Sequence, residues 1–314
     1  MKDRIARIFY NREELRIRAG WRILLFMPIL IGAAFALESL IELIFGGLPE
    51  DQTLKMLVGI AMVAFVGTFA TLIARRFFDK KTLLSFGLRL DTRAVKDWLF
   101  GFFLSAIMVA VVFLVQLWTG LLSYEGINPA FGTGAFMLDF LLMFITYCIL
   151  VAWWEELVFR GYLLQNMMDG MGKLWAVIIS CLFYGLIHST NPNAGILSSA
   201  IIVLFGYLRL YGYLETSQLW LSMGMHAAWN FFQGPVFGFA ASGFKTRTIL
   251  VHSPNGPDWL TGGNFGPEGS LITVPVVVLA LAAMYWWSRD QSSVPDPRLG
   301  TEASANIVEQ EIED

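Results

Sequence analysis

The chain has 314 residues, of which 56% are hydrophobic and 15% are charged, and its formal net charge is −3. Soluble globular proteins average about 25% charged residues, so this composition excludes a typical water-soluble domain and indicates a polytopic membrane protein. The two cysteines, Cys148 and Cys181, lie in apolar stretches and show neither a disulfide framework nor metal-site spacing. We expect the lipid bilayer as a partner and no nucleic-acid partner.

Eight apolar stretches approach the roughly 20 residues that a membrane-spanning helix needs. They cover residues 24–46, 54–74, 98–122, 136–165, 174–190, 194–213, 218–240 and 271–287. Helices are expected because an open sheet cannot satisfy its backbone groups in lipid. The sequence therefore predicts an all-α fold, a bundle of about eight transmembrane helices in a multi-pass protein of the cell membrane.

The basic residues predict which way the bundle is oriented. With the N-terminus inside, 19 of the 22 lysines and arginines fall in cytoplasmic segments. Only Lys55, Lys245 and Arg247 fall outside. This asymmetry is what the positive-inside rule describes, so both termini are predicted to be cytoplasmic.

We divide the chain into one membrane domain and two polar ends. Residues 1–23 are basic and interleave arginine with apolar side chains, a pattern typical of an interfacial amphipathic helix or of a simple topology anchor. Residues 24–290 form the membrane domain, with an external loop at 242–270 that is rich in Gly, Pro and Asn. The tail, 291–314, is acidic and predicted to be disordered.

Charged side chains interrupt the fourth span in the stretch WWEELVFRGYLL. On a helix, Glu156 and Arg160 have the i,i+4 spacing of a favourable ion pair, whereas Glu155 points about 100° away and has no local partner. Solvated charges at a cytoplasmic helix end would be an alternative explanation. Glu38, Glu42 and Asp139 lie near the outer ends of spans and are interpreted as interfacial carboxylates.

Two of the three histidines also lie in predicted spans. His188 closes the fifth span, and His226 lies in the seventh with Asn230 one helical turn away. His252 falls in the external loop. A single buried histidine is usually only a packed core residue, but polar groups in a membrane bundle face the interior and each other. Glutamate, two histidines and asparagine around one cavity are suited to hydrolysis.

These residues form three short motifs, EELVFR (Glu155 to Arg160), YGLIH (Tyr184 to His188) and HAAWN (His226 to Asn230). In this order and on separate spans, they resemble the EExxxR, FxxxH and HxxxN motifs of the CAAX prenyl protease and bacteriocin-processing family, intramembrane endopeptidases of the ABI superfamily. The resemblance covers about residues 95–240. Tyr184 departs from the usual phenylalanine, and its hydroxyl group needs a partner.

The resemblance implies a role for each residue. Glu155 would activate water with the help of His188, while His226 and Asn230 would stabilise the oxyanion. Glu156, Arg160 and Tyr184 would shape the site. A zinc ion held by Glu155, His188 and His226 is the competing mechanism.

The family also implies a function. We expect an intramembrane endopeptidase that cuts near the C-terminus of a membrane-associated or prenylated, CAAX-type protein or peptide. A non-catalytic scaffold or bacteriocin-immunity factor is an alternative, and a secondary transporter is a further one, although the inverted repeats typical of transporters are not visible. The catalytic cavity is expected to open towards the cytoplasm.

Overall fold

The computed structural model describes residues 8–11 and 14–289, except for the side chains of residues 52 and 53. The chain is mostly helical, at 73%. Five of its helices are long and apolar enough to cross a membrane: Ala19–Phe45, Leu54–Asp79, Thr92–Trp118, Gly134–Met171 and Ile196–Thr216. The tail and the first seven residues lie outside the described part of the chain, so the expectations for them remain predictions.

Nine α-helices, some with π-helical continuations, make up the described part of the chain. They are α1 (Ala19–Phe45), α2 (Gln52–Ala74, continued by Arg75–Asp79), α3 (Thr92–Trp118), α4 (Gly134–Met171), α5 (Lys173–His188), α6 (Ile196–Thr216), α7 (Trp220–Phe231, continued by Phe232–Val236), α8 (Asp258–Thr261) and α9 (Thr273–Ser288). All helices except the four-residue α8 overlap the eight predicted spans. The helices α5, α7 and α9 are shorter than the other five, and a count of eight spans remains a prediction.

Four short strands form two hairpin-like pairs. The strands β1 (Tyr10–Asn11) and β2 (Arg16–Ile17) pair antiparallel just before α1. Of the two alternatives given for this segment, an interfacial amphipathic helix and a topology anchor, the strand pairing differs from the first at these four residues. The strands β3 (Leu122–Ile127) and β4 (Leu250–Pro254) also pair antiparallel, although they are far apart in the sequence.

The helices define two ends of the bundle. One end, which we call the basic face, contains the starts of α1, α3, α5 and α7 and the ends of α2, α4, α6 and α9. Contacts tie these ends together: Leu219 donates its N–H to Gly87, and the Trp287 side chain donates to Asp97. The other end, which we call the opposite face, carries the β3–β4 pair and the 242–270 connection.

A buried ion cluster fastens three helices at the basic face. Asp79, at the end of α2, accepts from Arg22 of α1 at 3.1 Å and from Arg75 at 2.8 Å. Asp169, near the end of α4, accepts from Arg16 at 3.1 Å and from Arg22 at 3.4 Å. Gln165 and Asn166 of α4 add hydrogen bonds to Arg75 and Asp79, respectively. The charges are therefore paired where burial would otherwise make them costly.

Glycines allow α3 and α7 to pack closely. A Cβ atom at Gly101 would lie 2.4 Å from the Leu221 carbonyl oxygen, and one at Gly224 would lie 2.1 Å from the Trp98 carbonyl oxygen. Small residues permit this close approach of backbones in membrane bundles. The contact fixes α7, which carries His226, against the body of the bundle.

Helix α4 continues through the charged motif. It reaches Met171, where Gly172 with φ 80° separates it from α5, so the helix continues beyond the predicted limit of the fourth span at residue 165. Two π-helical stretches, Ile145–Val151 and Glu156–Leu164, flank the short α-helical segment that contains Glu155. Such widened turns are frequent at functional sites.

Candidate active site

One cavity of about 310 Å³ is lined by all four residues to which the sequence assigned chemistry. Glu155 comes from α4, His188 from the end of α5, and His226 and Asn230 from α7. Tyr184 also lines the cavity. The three motifs thus meet in space, although long stretches of chain separate them.

Glu155 lies between two other motif residues. Its Oε2 atom accepts a hydrogen bond from the Tyr184 hydroxyl group at 2.8 Å and lies 3.8 Å from His226 Nε2. This accounts for the hydroxyl group that distinguishes Tyr184 from phenylalanine. The described residues make no hydrogen bond to Oε1, which leaves that oxygen available to a water molecule.

Glu156 connects the first motif to the third. Its Oε1 atom lies 3.2 Å from Arg160 Nη1, which confirms the expected i,i+4 pair, and 2.9 Å from His226 Nδ1. Because a carboxylate accepts, His226 carries a proton on Nδ1 and directs Nε2 towards Glu155. Glu156 is therefore both an ion-pair partner and the residue that orients His226, and sequence reasoning found only the first role.

His188 is oriented by the backbone of its own helix. Its Nδ1 atom lies 2.9 Å from the Tyr184 carbonyl oxygen, which can only accept, so the proton lies on Nδ1. Nε2 of the neutral ring is then a free acceptor. The ring also packs on Tyr184, with centroids 4.3 Å apart.

The length of α4 explains why Glu155 and His188 meet. Glu155 lies 16 residues before the end of α4 and His188 lies 15 residues after the start of α5. At about 1.5 Å per residue, both are about 22–24 Å from the turn at Gly172. His226, in contrast, lies only six residues after the start of α7 at the basic face, so the cavity lies between the two faces.

The cavity lining includes connections at the opposite face. We expected an opening towards the cytoplasm, yet the lining includes Asn191, Ala241, Ser242 and Phe244 from connections at the opposite face. With the N-terminus inside, these connections are external. The cytoplasmic opening depends on the orientation of the bundle, and both stay predictions.

Arg209 is a cavity residue that sequence reasoning missed. It was counted as a cytoplasmic loop charge, but it lies within α6, is 4% exposed and lines the cavity. Its guanidinium carbon lies 4.9 Å from the centre of the Tyr184 ring. No carboxylate oxygen of the described residues is within 4.0 Å of it. It places a permanent positive charge near Glu155 and Tyr184.

Glu268 is a second lining residue that was missed. It is 2% exposed and accepts hydrogen bonds from the Trp229 indole at 3.0 Å and from the Ser242 N–H at 2.9 Å. Gln233 also donates to it, at 3.3 Å. These bonds fasten the 242–270 connection to α7 and close that side of the cavity. The only sequence signal was a carboxylate in a loop assigned to the exterior.

The other ionisable residues considered in the sequence lie outside the cavity. Glu38 and Glu42 are exposed, as an interfacial position requires. Asp139 forms an ion pair with Arg247. His252 lies in β4 and contacts the rings of Phe113 and Phe239.

The arrangement of donors does not fit the zinc alternative. A zinc site built on Glu155, His188 and His226 needs three ligand atoms that converge on one point. Within the described part of the chain, no group of three His, Cys, Asp or Glu side chains is arranged to hold a metal ion.

Tyr184→Phe tests the contact to Glu155. The change removes one 2.8 Å hydrogen bond and leaves the ring packing in place. A hydrogen bond to a charged group contributes about 1.5–3 kcal/mol, so we expect cleavage to slow about 10- to 100-fold. Tyr207→Phe, on an exposed part of α6 outside the cavity, is the control. Equal rates for the two variants would show that the hydroxyl group does not assist Glu155.

The helices and the polar cavity define a multi-pass membrane protein with an internal site suited to hydrolysis. A comparison with known protein families shows which family of membrane enzymes the chain resembles. Residues 137–232 match the family described as Rce1-like, type II CAAX prenyl endopeptidase. The match contains all three motifs, which confirms the resemblance seen in the sequence, over a shorter region than the predicted 95–240.

One curated relative is similar over a short stretch of the chain. The chain is 34% identical over 87 residues to a protein of Bacillus subtilis (strain 168) described as uncharacterized protein YyaK. The aligned stretch is 25% of this chain and 27% of that protein. The chain therefore covers about a quarter of the relative's length, and the similarity supports no activity by itself.

Proposed function

We propose that this protein is a glutamate-dependent intramembrane endopeptidase. The observation that carries the proposal is that Glu155, His188, His226 and Asn230, from three helices, line one cavity in which Glu155 is held by Tyr184. The family match over 137–232 supports the same class of enzyme. The substrate is a membrane-associated protein or peptide, and a prenylated CAAX-type C-terminus is the first chemistry to test.

The proposed reaction starts with water between Glu155 and His188. One proton of the water forms a hydrogen bond to His188 Nε2. Glu155 Oε1 takes the other proton as the water oxygen attacks the peptide carbonyl carbon. This forms a tetrahedral intermediate with a negative oxygen. When the C–N bond breaks, Glu155 returns the proton to the leaving amine, so the products are a carboxylic acid and an amine.

His226 and Asn230 are placed to stabilise the oxyanion. Both project from α7 into the cavity, and donors fixed on one helix need no rearrangement during the reaction. To donate from Nε2 while Nδ1 donates to Glu156, His226 must carry a proton on both ring nitrogens and is then an imidazolium. The Glu156 carboxylate, 2.9 Å from Nδ1, stabilises that imidazolium. Arg160 in turn compensates the charge of Glu156.

Cleavage by the purified protein tests the proposal. Fluorogenic peptides with and without a prenyl group are incubated with the detergent-solubilised chain, and products are identified by mass spectrometry. The expected result is an endoproteolytic cut that requires Glu155. Absence of cleavage in every peptide, with a folded protein, would favour a scaffold or immunity role.

Metal removal is expected to leave the activity unchanged. The proposed reaction uses only side chains of this chain, so dialysis against a strong chelator should not alter the rate by more than about two-fold. The control is a zinc peptidase treated in the same way. Loss of activity on chelation and its recovery with zinc would overturn the water mechanism described above.

A further inference from the structure

Arg209 is a buried cation that lines the cavity without a close anionic partner. Its side chain is 4% exposed and lies within α6, one of the helices long and apolar enough to cross a membrane. Its Nε atom is enclosed and has no acceptor, and no carboxylate oxygen of the described residues lies within 4.0 Å of the guanidinium group. Because a charge inside a membrane bundle is costly, this arrangement calls for a partner.

The other buried arginines of the described chain are all paired. Each has a carboxylate partner at a distance between 2.8 and 3.2 Å, and they are Arg16, Arg22, Arg75 and Arg160. Arg209 instead contacts the Tyr184 ring, with its guanidinium carbon 4.9 Å from the ring centre. Arg160 lies 4.5 Å from the same ring centre. A ring shared by two cations compensates only part of the cost of burying Arg209.

The carboxylates around the cavity have other partners. Glu156 and Glu268 each accept from neighbouring side chains of the site. Glu155 accepts from the Tyr184 hydroxyl group. All three carboxylates are near enough to attract Arg209, but none is in direct contact with it. The guanidinium group is therefore available to an anionic group that enters the cavity.

We propose that Arg209 binds a carboxylate of the polypeptide that enters the cavity. A guanidinium group presents paired N–H donors that match the two oxygens of a carboxylate, and it keeps its charge at any working pH. The carboxylate is either the free C-terminus of the polypeptide or an aspartate or glutamate side chain. The proposal rests on the peptidase function only in calling that polypeptide a substrate.

The position of Arg209 limits where this carboxylate lies in the substrate. The Tyr184 hydroxyl group is 2.8 Å from Glu155, and the centre of the same ring is 4.9 Å from Arg209. Arg209 is thus within about 10 Å of Glu155, which is the length of about three extended residues. The carboxylate is therefore within about three residues of the scissile bond. Arg209 selects the substrate, while His226 and Asn230 on α7 stabilise the oxyanion.

Peptide binding to the Glu155→Gln chain tests this role without requiring cleavage. The first pair of probes is dansyl-trileucine with a free C-terminal carboxylate and the same peptide as its amide. The second pair, both amides, carries aspartate or asparagine at the middle position. Leucine is used because apolar side chains such as Ile60 and Val151 line the cavity. We expect the carboxylate member of at least one pair to bind about 10- to 100-fold more tightly, as charge-assisted hydrogen bonds allow. The pair that discriminates identifies the source of the carboxylate.

Substitution of Arg209 should remove the discrimination. In Arg209→Gln we expect the carboxylate probe to bind as weakly as its neutral counterpart, whose Kd should stay unchanged. Arg209→Lys keeps the charge without the paired donors and should retain part of the preference. Arg76→Gln, at an exposed position of the basic face, is the control and should bind every probe like its parent. Equal Kd values within both pairs, equal weakening of both members by Arg209→Gln, or no binding of any probe overturns the proposal.

The melting temperature separates a binding role from a structural one. Since Arg209 has no close partner before a ligand enters, Arg209→Met should melt at or above the temperature of the unsubstituted chain. The carboxylate probe should raise the melting temperature of the unsubstituted chain but not that of Arg209→Met. A large fall of the melting temperature in Arg209→Met without probe would show that the charge is already balanced in the free protein, and the proposal would fail.

Kinetics distinguish this proposal from the peptidase function. For a cleaved peptide that carries the carboxylate, Arg209→Gln should raise KM about ten-fold and leave kcat unchanged, as expected when uniform binding is lost. If no peptide is cleaved but carboxylate binding depends on Arg209, the peptidase proposal fails and the carboxylate site stands. If Arg209→Gln cleaves every peptide with the wild-type KM and kcat, the peptidase function stands and the role of Arg209 is wrong.

Discussion

Glu155→Gln is expected to lower kcat about 10²–10⁴-fold, the contribution typical of a general acid–base group. The amide cannot take the proton from water, but it is nearly the same size and can still accept the Tyr184 hydrogen bond. The variant should therefore fold normally. Single-turnover cleavage of a fluorogenic substrate measures the loss, and thermal unfolding in detergent measures folding.

Glu42→Gln provides the matched control for this prediction. It is the same substitution in the same protein, at an exposed position that does not line the cavity. We expect wild-type cleavage from it. If Glu155→Gln cleaves as fast as Glu42→Gln, the residue that activates water has been assigned incorrectly.

Glu156→Gln should behave differently from its neighbour. It leaves Arg160, which is 1% exposed, without its carboxylate and replaces the charged acceptor of His226 Nδ1 with a neutral amide oxygen. Both stability and cleavage are therefore expected to fall. A normal melting temperature for this variant would show that the pair contributes little to folding.

Asp79→Asn is expected to destabilise the protein by about 3 kcal/mol, at the lower end of the range for breaking a buried ion pair. The side chain is fully buried and accepts from Arg22 and Arg75, both of which are 1% exposed. Asparagine keeps the volume but removes the charge that balances two guanidinium groups. Unfolding of the purified protein in mixed micelles measures the free-energy difference.

The control for this substitution is Asp91→Asn, at the same face of the bundle. Asp91 pairs with Arg89 on the surface and caps α3 through the Ala94 N–H, and asparagine is an equally good cap. A change below about 1 kcal/mol is expected, since exposed pairs contribute little. If the two variants are equally stable, the cluster around Asp79 does not hold the helices together.

The sequence predicted the positions of the helices because these depend on local patterns, and the residues singled out for chemistry line one cavity. Apolar runs of sufficient length predict helices in a membrane, and the structure has helices at all eight positions. Ion pairing between Glu156 and Arg160 follows from their i,i+4 spacing. The meeting of Glu155, His188 and His226 followed from the motif resemblance and from the high cost of isolated polar groups in lipid.

The features that were missed depend on distant contacts. Arg209 lies four residues before the predicted end of the sixth span at residue 213, where a charge is common, whereas α6 continues to Thr216. Glu268 belongs to a loop, and its partners Trp229 and Ser242 lie 39 and 26 residues away in the sequence. Pairing of β3 with β4 joins segments that are even further apart. Such contacts leave no periodic signal.

The ion cluster at the basic face has a consequence for how the protein is made. Helices α1 and α2 leave the ribosome with Arg22, Arg75 and Asp79 already present, and these three residues can pair at once. Asp169, Gln165 and Asn166, which complete the cluster, follow about 90 residues later, as the 90-residue separation of Arg75 and Gln165 requires. The arginines of the first two helices therefore remain incompletely paired in the membrane until the fourth helix has been synthesised. A nascent chain arrested before residue 165 would be a natural substrate for membrane quality control.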